Sequence, residues 1–135
     1  MPTRDPEIGA SGQVELIVGE PDLASALSPI SGDPYPAVFA TTRAIALCEL
    51  AAGRVLAPLL SKGELSVGVS VDVKHTLATP PGVRVSATAR YTGREVKLYV
   101  FDVSVSDPKG EVMTGIHKRA VIELERLLGS AEKRR

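Results

Sequence analysis

The chain has 135 residues, with 16 Lys plus Arg against 16 Asp plus Glu and a formal net charge of zero. That length carries one domain with one core, and balanced charge argues against a nucleic-acid partner, which wants a basic face. The lone Cys48 excludes an intrachain disulfide framework and any multi-cysteine metal site.

The start, Met1-Pro2-Thr3-Arg4-Asp5-Pro6-Glu7, lacks the apolar stretch of a secretory signal. No apolar run approaches a membrane span. A soluble, cytoplasmic protein with no membrane partner is expected. Residues 1–11 are polar and rich in Pro and Gly, and are expected to form an irregular arm. A single domain is expected over 12–128, followed by a charged tail over 129–135. With no tryptophan and few aromatics, its core must come from Val, Leu, Ile and Ala.

Gln13 to Val18 predicts a first strand, ended by Gly19-Glu20-Pro21-Asp22. Residues 21–36 hold Pro21, Pro29, Pro34 and Pro36 and predict a loop, with room for a short helix at Asp22 to Leu27. Loops of this length are often functional lids. From about Ala40 to Ala57 the pattern is helical: Ile45, Leu47, Cys48, Leu50, Ala51, Val55 and Leu56 are apolar, and Pro58 should end the run. Apolar over most of its circumference, the helix is expected to be enclosed by a sheet.

Strands follow. Val67, Val69, Val71 and Val73 alternate with polar or small residues, a period of two. Thr79-Pro80-Pro81-Gly82 breaks the run. Val83 to Tyr91 alternates again, and Thr92-Gly93-Arg94 predicts a tight connection. Glu95 to Ser106 predicts a long strand, and Asp107-Pro108-Lys109-Gly110 a hairpin turn. Val112 to Leu127 predicts a last strand running into a helix-favouring tail. One long helix wrapped by one curved antiparallel sheet is an α+β arrangement, the hotdog architecture. Such a sheet keeps an open edge that a second copy could close.

Three side-chain types used in acyl transfer recur in this frame. Thr42 and Glu49 are seven residues apart, nearly on one helix face, and Thr41 lies about 80° round from Glu49. A helix starting near Thr41 would offer unpaired, positive amides. His75, one of two histidines, ends a predicted strand. Gly68 leaves backbone open to close approach or marks a bulge. Each has a plainer reading. Thr41 or Thr42 could be an N-cap, His75 a strand-end residue, Arg119 an edge charge, and Cys48 a small core residue. His117 is expected to face solvent or an interface.

The order and spacing together resemble the fluoroacetyl-CoA thioesterase family of single-hotdog proteins, over roughly residues 34 to 127. The likeness lies in Val38-Phe39-Ala40-Thr41, Glu49, Ala57-Pro58-Leu59, Val73-Lys74-His75-Thr76-Leu77-Ala78-Thr79-Pro80-Pro81-Gly82 and Gly115-Ile116-His117-Lys118-Arg119-Ala120-Val121-Ile122. The resemblance implies hydrolysis of a short-chain acyl-CoA, halogenated or not, to the acid and CoA. It implies Thr41, Glu49 and His75 as catalytic residues, and Tyr35, Phe39, Gly68 and Arg119 as substrate-binding ones. It implies a homodimer with the site at the subunit interface, and no cofactor, CoA being part of the substrate. Tyr35 falls where the family's best-known member carries a phenylalanine gate, Thr42 where it has glycine, and Arg43 where it has an apolar residue. Glu49 would act as nucleophile or as base toward water, with His75 polarising or protonating. The alternative is a non-catalytic acyl-CoA-binding hotdog module. A hydratase-type site is disfavoured, since Asp72 and His75, three apart on a strand, point to opposite faces.

Overall fold

The computed structural model describes residues 4–30 and 32–135; residues 1–3 of the expected arm and Ser31 of the expected loop lie outside them. Strand β1 (Ser11–Ile17) leads through two single-turn 3-10 helices (Glu20–Asp22 and Ala24–Ala26) to helix α1 (Thr41–Leu56). Strands β2 (Glu64–His75), β3 (Arg84–Glu95), β4 (Leu98–Asp107) and β5 (Gly110–Glu123) follow, and helix α2 (Leu124–Glu132) closes the chain. Residues 129–132, within the segment expected to be a tail, are the last turn of α2. The sheet order is β1-β3-β4-β5-β2, antiparallel throughout, so β1 and β2 are its edges. This is the hotdog arrangement expected from the order of elements.

The core lies between α1 and the inner face of the sheet. Leu47, Leu56, Val85, Tyr91, Phe101 and Val105 are all buried there. Small residues on the helix face toward the sheet, Ala44, Cys48, Ala51 and Ala52, let the two approach closely. Gly12 on β1 is the tightest point, where a side chain would run into the Ala51 carbonyl oxygen. The helix is covered on one face rather than enclosed: Leu50 keeps 52% of its surface exposed, and Glu49 on the same side is half-buried.

Three local readings are corrected. The turn between β3 and β4 is not at Thr92-Gly93-Arg94. Gly93 serves a bulge in the register between Tyr91 and Gly93, and β3 continues to Glu95. The hairpin instead turns at Val96-Lys97, with Glu95 opposite Leu98 and Val96 at φ 57°. Second, the alternating valines of β2 do not share a face. A bulge between Gly68 and Ser70 reverses the alternation. Val67 pairs with Ala120, whereas Val71 and Val73 pair with His117 and Gly115. Third, β5 is an inner strand, so Arg119 is no edge charge.

The chain leading into α1 is pinned from two sides. The Phe39 amide donates to the Thr79 carbonyl and the Ala40 amide to the Asp22 carbonyl, both at 2.9 Å. Thr79 is fully buried and its hydroxyl donates to Asp107 at 2.9 Å. Asp22, also buried, accepts from Arg43 Nε at 2.8 Å and from the Gly19 amide at 2.9 Å. These bonds hold the start of α1 against the end of β2.

Candidate active site

That junction brings two of the expected residues together. Thr41 Oγ1 lies 2.8 Å from His75 Nδ1. Thr41 is the first helical residue and caps nothing: the N-cap is Ala40, and no side chain caps the helix. The hydroxyl is therefore free for the imidazole. His75 Nε2 is buried and has no hydrogen-bonding partner, an arrangement a folded chain seldom tolerates without a use for it. Burial lowers the His75 pKa below its ordinary 6.5, with the Leu77 backbone opposing, so the ring favours the neutral form near neutral pH. Phe39, fully buried, meets the ring edge-on at 6.4 Å between centroids.

Two clefts flank this pair. One, of about 400 Å³, is lined by Tyr35, Pro36, Phe39, Thr41, His75 and Leu77 among others. The other, of about 370 Å³, opens over the start of α1, with Thr41, Thr42, Tyr35 and Asp33 on its walls. Tyr35, itself 58% exposed, lies on both.

Glu49, Gly68 and Arg119 gather elsewhere on the same side of the molecule. Arg119 Nη1 lies 3.7 Å from Glu49 Oε2. Gly68 pairs with Arg119 across β2 and β5, and a Cβ there would stand 2.5 Å from Glu49 Oε2. Only glycine lets the carboxylate lie this close to the strand. The guanidinium is buried and held by Ser66, Nε donating to its hydroxyl at 3.0 Å and Nη2 to its carbonyl at 2.8 Å. Burial lowers the Arg119 pKa and Glu49 opposes the shift. Cys48, beside Glu49 in sequence, is no candidate nucleophile. Burial first, then the Glu49 charge, pushes its thiol up to about 11, which leaves it protonated and inert.

His117 contradicts its expected place. It faces neither solvent nor an interface but is fully buried, with Nδ1 2.9 Å from the Ser70 carbonyl oxygen and Nε2 3.1 Å from Arg119 Nη1. Sequence reasoning missed it because both phases of β5 carry apolar residues, Ile116, Ala120 and Ile122 on one and Val121 on the other. The usable signal was the shared phase of His117, Arg119 and Val121.

Among the described residues, no group of three or more His, Cys, Asp or Glu could hold a metal ion, and no helix is long and apolar enough to cross a membrane.

Comparison with known proteins gives the family. Residues 18–125 match the family model described as fluoroacetyl-CoA-specific thioesterase. A fluoroacetyl-CoA thioesterase from Streptantibioticus cattleyicolor is 44% identical over 92 residues, covering 68% of this chain and 66% of that protein's length. A solved fluoroacetyl-CoA thioesterase, a threonine-to-alanine variant in complex with fluoroacetate, superimposes with a TM-score of 0.89 at 34% identity, covering 96% of this chain and 98% of that one. A hot-dog-like protein from Thermanaerovibrio acidaminovorans shares the fold, with a TM-score of 0.82 at 23% identity over 95% of this chain and 92% of that one. The chain belongs to the fluoroacetyl-CoA-specific thioesterase family.

Proposed function

We propose that this protein hydrolyses a short-chain acyl-CoA thioester to the acid and CoA, as a homodimer whose two sites each draw on both protomers. The observation that carries the reading is the buried, unpartnered Nε2 of His75 beside Thr41. With the Thr41 hydroxyl donating to Nδ1, the His75 proton sits on Nε2. From there it polarises the thioester carbonyl and hydrogen-bonds the departing thiolate, which takes up the proton released by the attacking water. Glu49 supplies the attack, either directly at the carbonyl carbon, giving an anhydride that water then cleaves to the acid and free Glu49, or by taking a proton from the attacking water. The start of α1 and the Gly68 amide add donors for the developing oxyanion.

Helix and strand geometry favours the composite site. Thr41 and Glu49 are separated by about 12 Å along α1 at 1.5 Å per residue. His75 and Gly68 are separated by about 20 Å along β2. These spans count against one protomer closing both groups on one thioester carbon. A second copy can do so: β2 is an open edge, and Leu65, Val69 and Val71 on it are exposed. A two-fold axis near Val71 and Asp72 would set His75 of one protomer beside Gly68 and Glu49 of its partner.

Tyr35 adds a hydroxyl to the wall shared by both clefts, so the preferred acyl group need not be the fluorinated one. Cytoplasmic location, with no nucleic-acid or membrane partner and no cofactor, belongs to the same reading. The test is thiol release from a panel of short acyl-CoAs, acetyl and fluoroacetyl included. Turnover of at least one member, falling by about a hundredfold or more in both Glu49→Gln and His75→Ala, is expected. Binding of CoA esters without turnover would move the reading to a binding module.

A further inference from the structure

His117 has no part in the chemistry proposed above, yet it is the second imidazole of the chain and is fully buried. Its partners fix its state. The Ser70 carbonyl can only accept, so Nδ1 carries the proton and donates to it at 2.9 Å. The Arg119 guanidinium can only donate, so Nε2 is bare and accepts from Nη1 at 3.1 Å. The ring is a neutral strut between the β2 bulge and the arginine. Burial, with the Arg119 charge, holds its pKa below the ordinary 6.5 against the Ser70 carbonyl and Glu49.

The strut completes the grip on Arg119. Ser66 takes hydrogens from Nε and Nη2, and His117 takes one from Nη1. The plane of the guanidinium is then set, and the remaining Nη1 hydrogen is left for Glu49 Oε2, 3.7 Å away. Glu49 itself is half-exposed and would otherwise be free to sample other rotamers. The bulge has a part in this. By reversing the alternation of β2, it presents the Ser70 carbonyl to the inner face, where His117 lies.

We infer that His117 is a positioning residue: by accepting a hydrogen bond from Arg119 it fixes the guanidinium that in turn holds the Glu49 carboxylate beside Gly68. This inference rests on the thioesterase reading of Glu49.

The experiment compares His117→Gln, His117→Asn and His117→Phe in the full-length protein, measuring kcat, KM and Tm on the best acyl-CoA of the panel. The Gln amide oxygen can reach Arg119. The Asn amide can serve Ser70 but not Arg119, and Phe serves neither. Gln is expected within a few-fold of the wild-type kcat. Asn and Phe are expected to lose about ten- to a hundredfold in kcat with KM little changed, as misplaced groups do. In an Arg119→Lys background, His117→Asn should cost nothing further, because both act through one guanidinium. Should Phe fail to fold, the Gln and Asn pair decides. Gln falling as far as Asn, or full additivity with Arg119→Lys, would overturn the inference while leaving the thioesterase reading intact. An inactive wild type would overturn both.

Discussion

Gly68 is the residue on which the Glu49 end of the site turns. A Cβ there would lie 2.5 Å from Glu49 Oε2 and 3.2 Å from His117 Cε1. The first obstacle is the far end of a flexible side chain, so the carboxylate would yield rather than the fold. Gly68→Ala is therefore expected to leave Tm within a few degrees while lowering kcat about ten- to a hundredfold. Thermal unfolding and steady-state kinetics on one preparation check both halves. The two histidines make a further prediction. Both have folded pKa values lowered from 6.5, chiefly by burial, so the unfolded chain binds more protons in the window just below that value. Stability then rises with pH through the window and is lost as pH falls from about 7 toward 5. Thermal melts across that range should show Tm falling on acidification, and less steeply in His75→Ala. A flat or rising Tm would count against the burial assigned to these rings. The elements carrying Thr41, Glu49 and His75, helix α1 and strand β2, were legible in the sequence. The Thr41–His75 contact was not, because it depends on backbone bonds from Phe39 to Thr79 and from Ala40 to Asp22 that no periodicity announces. His117 was illegible for a related reason. A buried polar residue on a strand with apolar residues in both phases leaves no pattern.

At the scale of elements, α1 and the run of strands were plain, since prolines bound the helix and the alternation in β3 is strong. Two of the errors sat where one residue shifts a register. Glycine at 93 looked like a turn and is a bulge, and the true turn holds a valine at φ 57°. That conformation is costly for a β-branched side chain. Val96 is the first central residue of a two-residue loop and the only non-glycine residue at positive φ among those described. Such a loop is the type II′ turn, which takes glycine at this place. Val96 is 88% exposed and packs against little. Val96→Gly is expected to stabilise the protein by about 1 kcal/mol, raising Tm by roughly 3–5 °C. A lowered Tm would mean the turn is not strained. In β2 the bulge at Gly68 to Ser70 hid in an unbroken row of alternating valines. Its effect is to set the inward residues Gly68 and Val71 three positions apart.

At the scale of the whole molecule, the proposed reading makes the site of one protomer incomplete. Thr41 with His75 sits at the start of α1, while Glu49 with Gly68, Arg119 and His117 sits two turns along it. The open β2 edge, with its exposed Val69 and Val71, lies between the two groups. Composition and spacing pointed to an open edge but not to the separation of Thr41 and His75 from Glu49 and Gly68 along it. Subunit complementation tests this composite arrangement most directly. Glu49→Gln and His75→Ala chains, each inactive alone, are unfolded together in equal amounts, refolded, and assayed for thiol release. In a two-fold dimer, half the molecules become mixed, each with one intact and one doubly defective site. About a quarter of wild-type activity should return. No recovery, with mixed dimers demonstrated by differently tagged chains, would place both groups in one protomer's site and contradict the account.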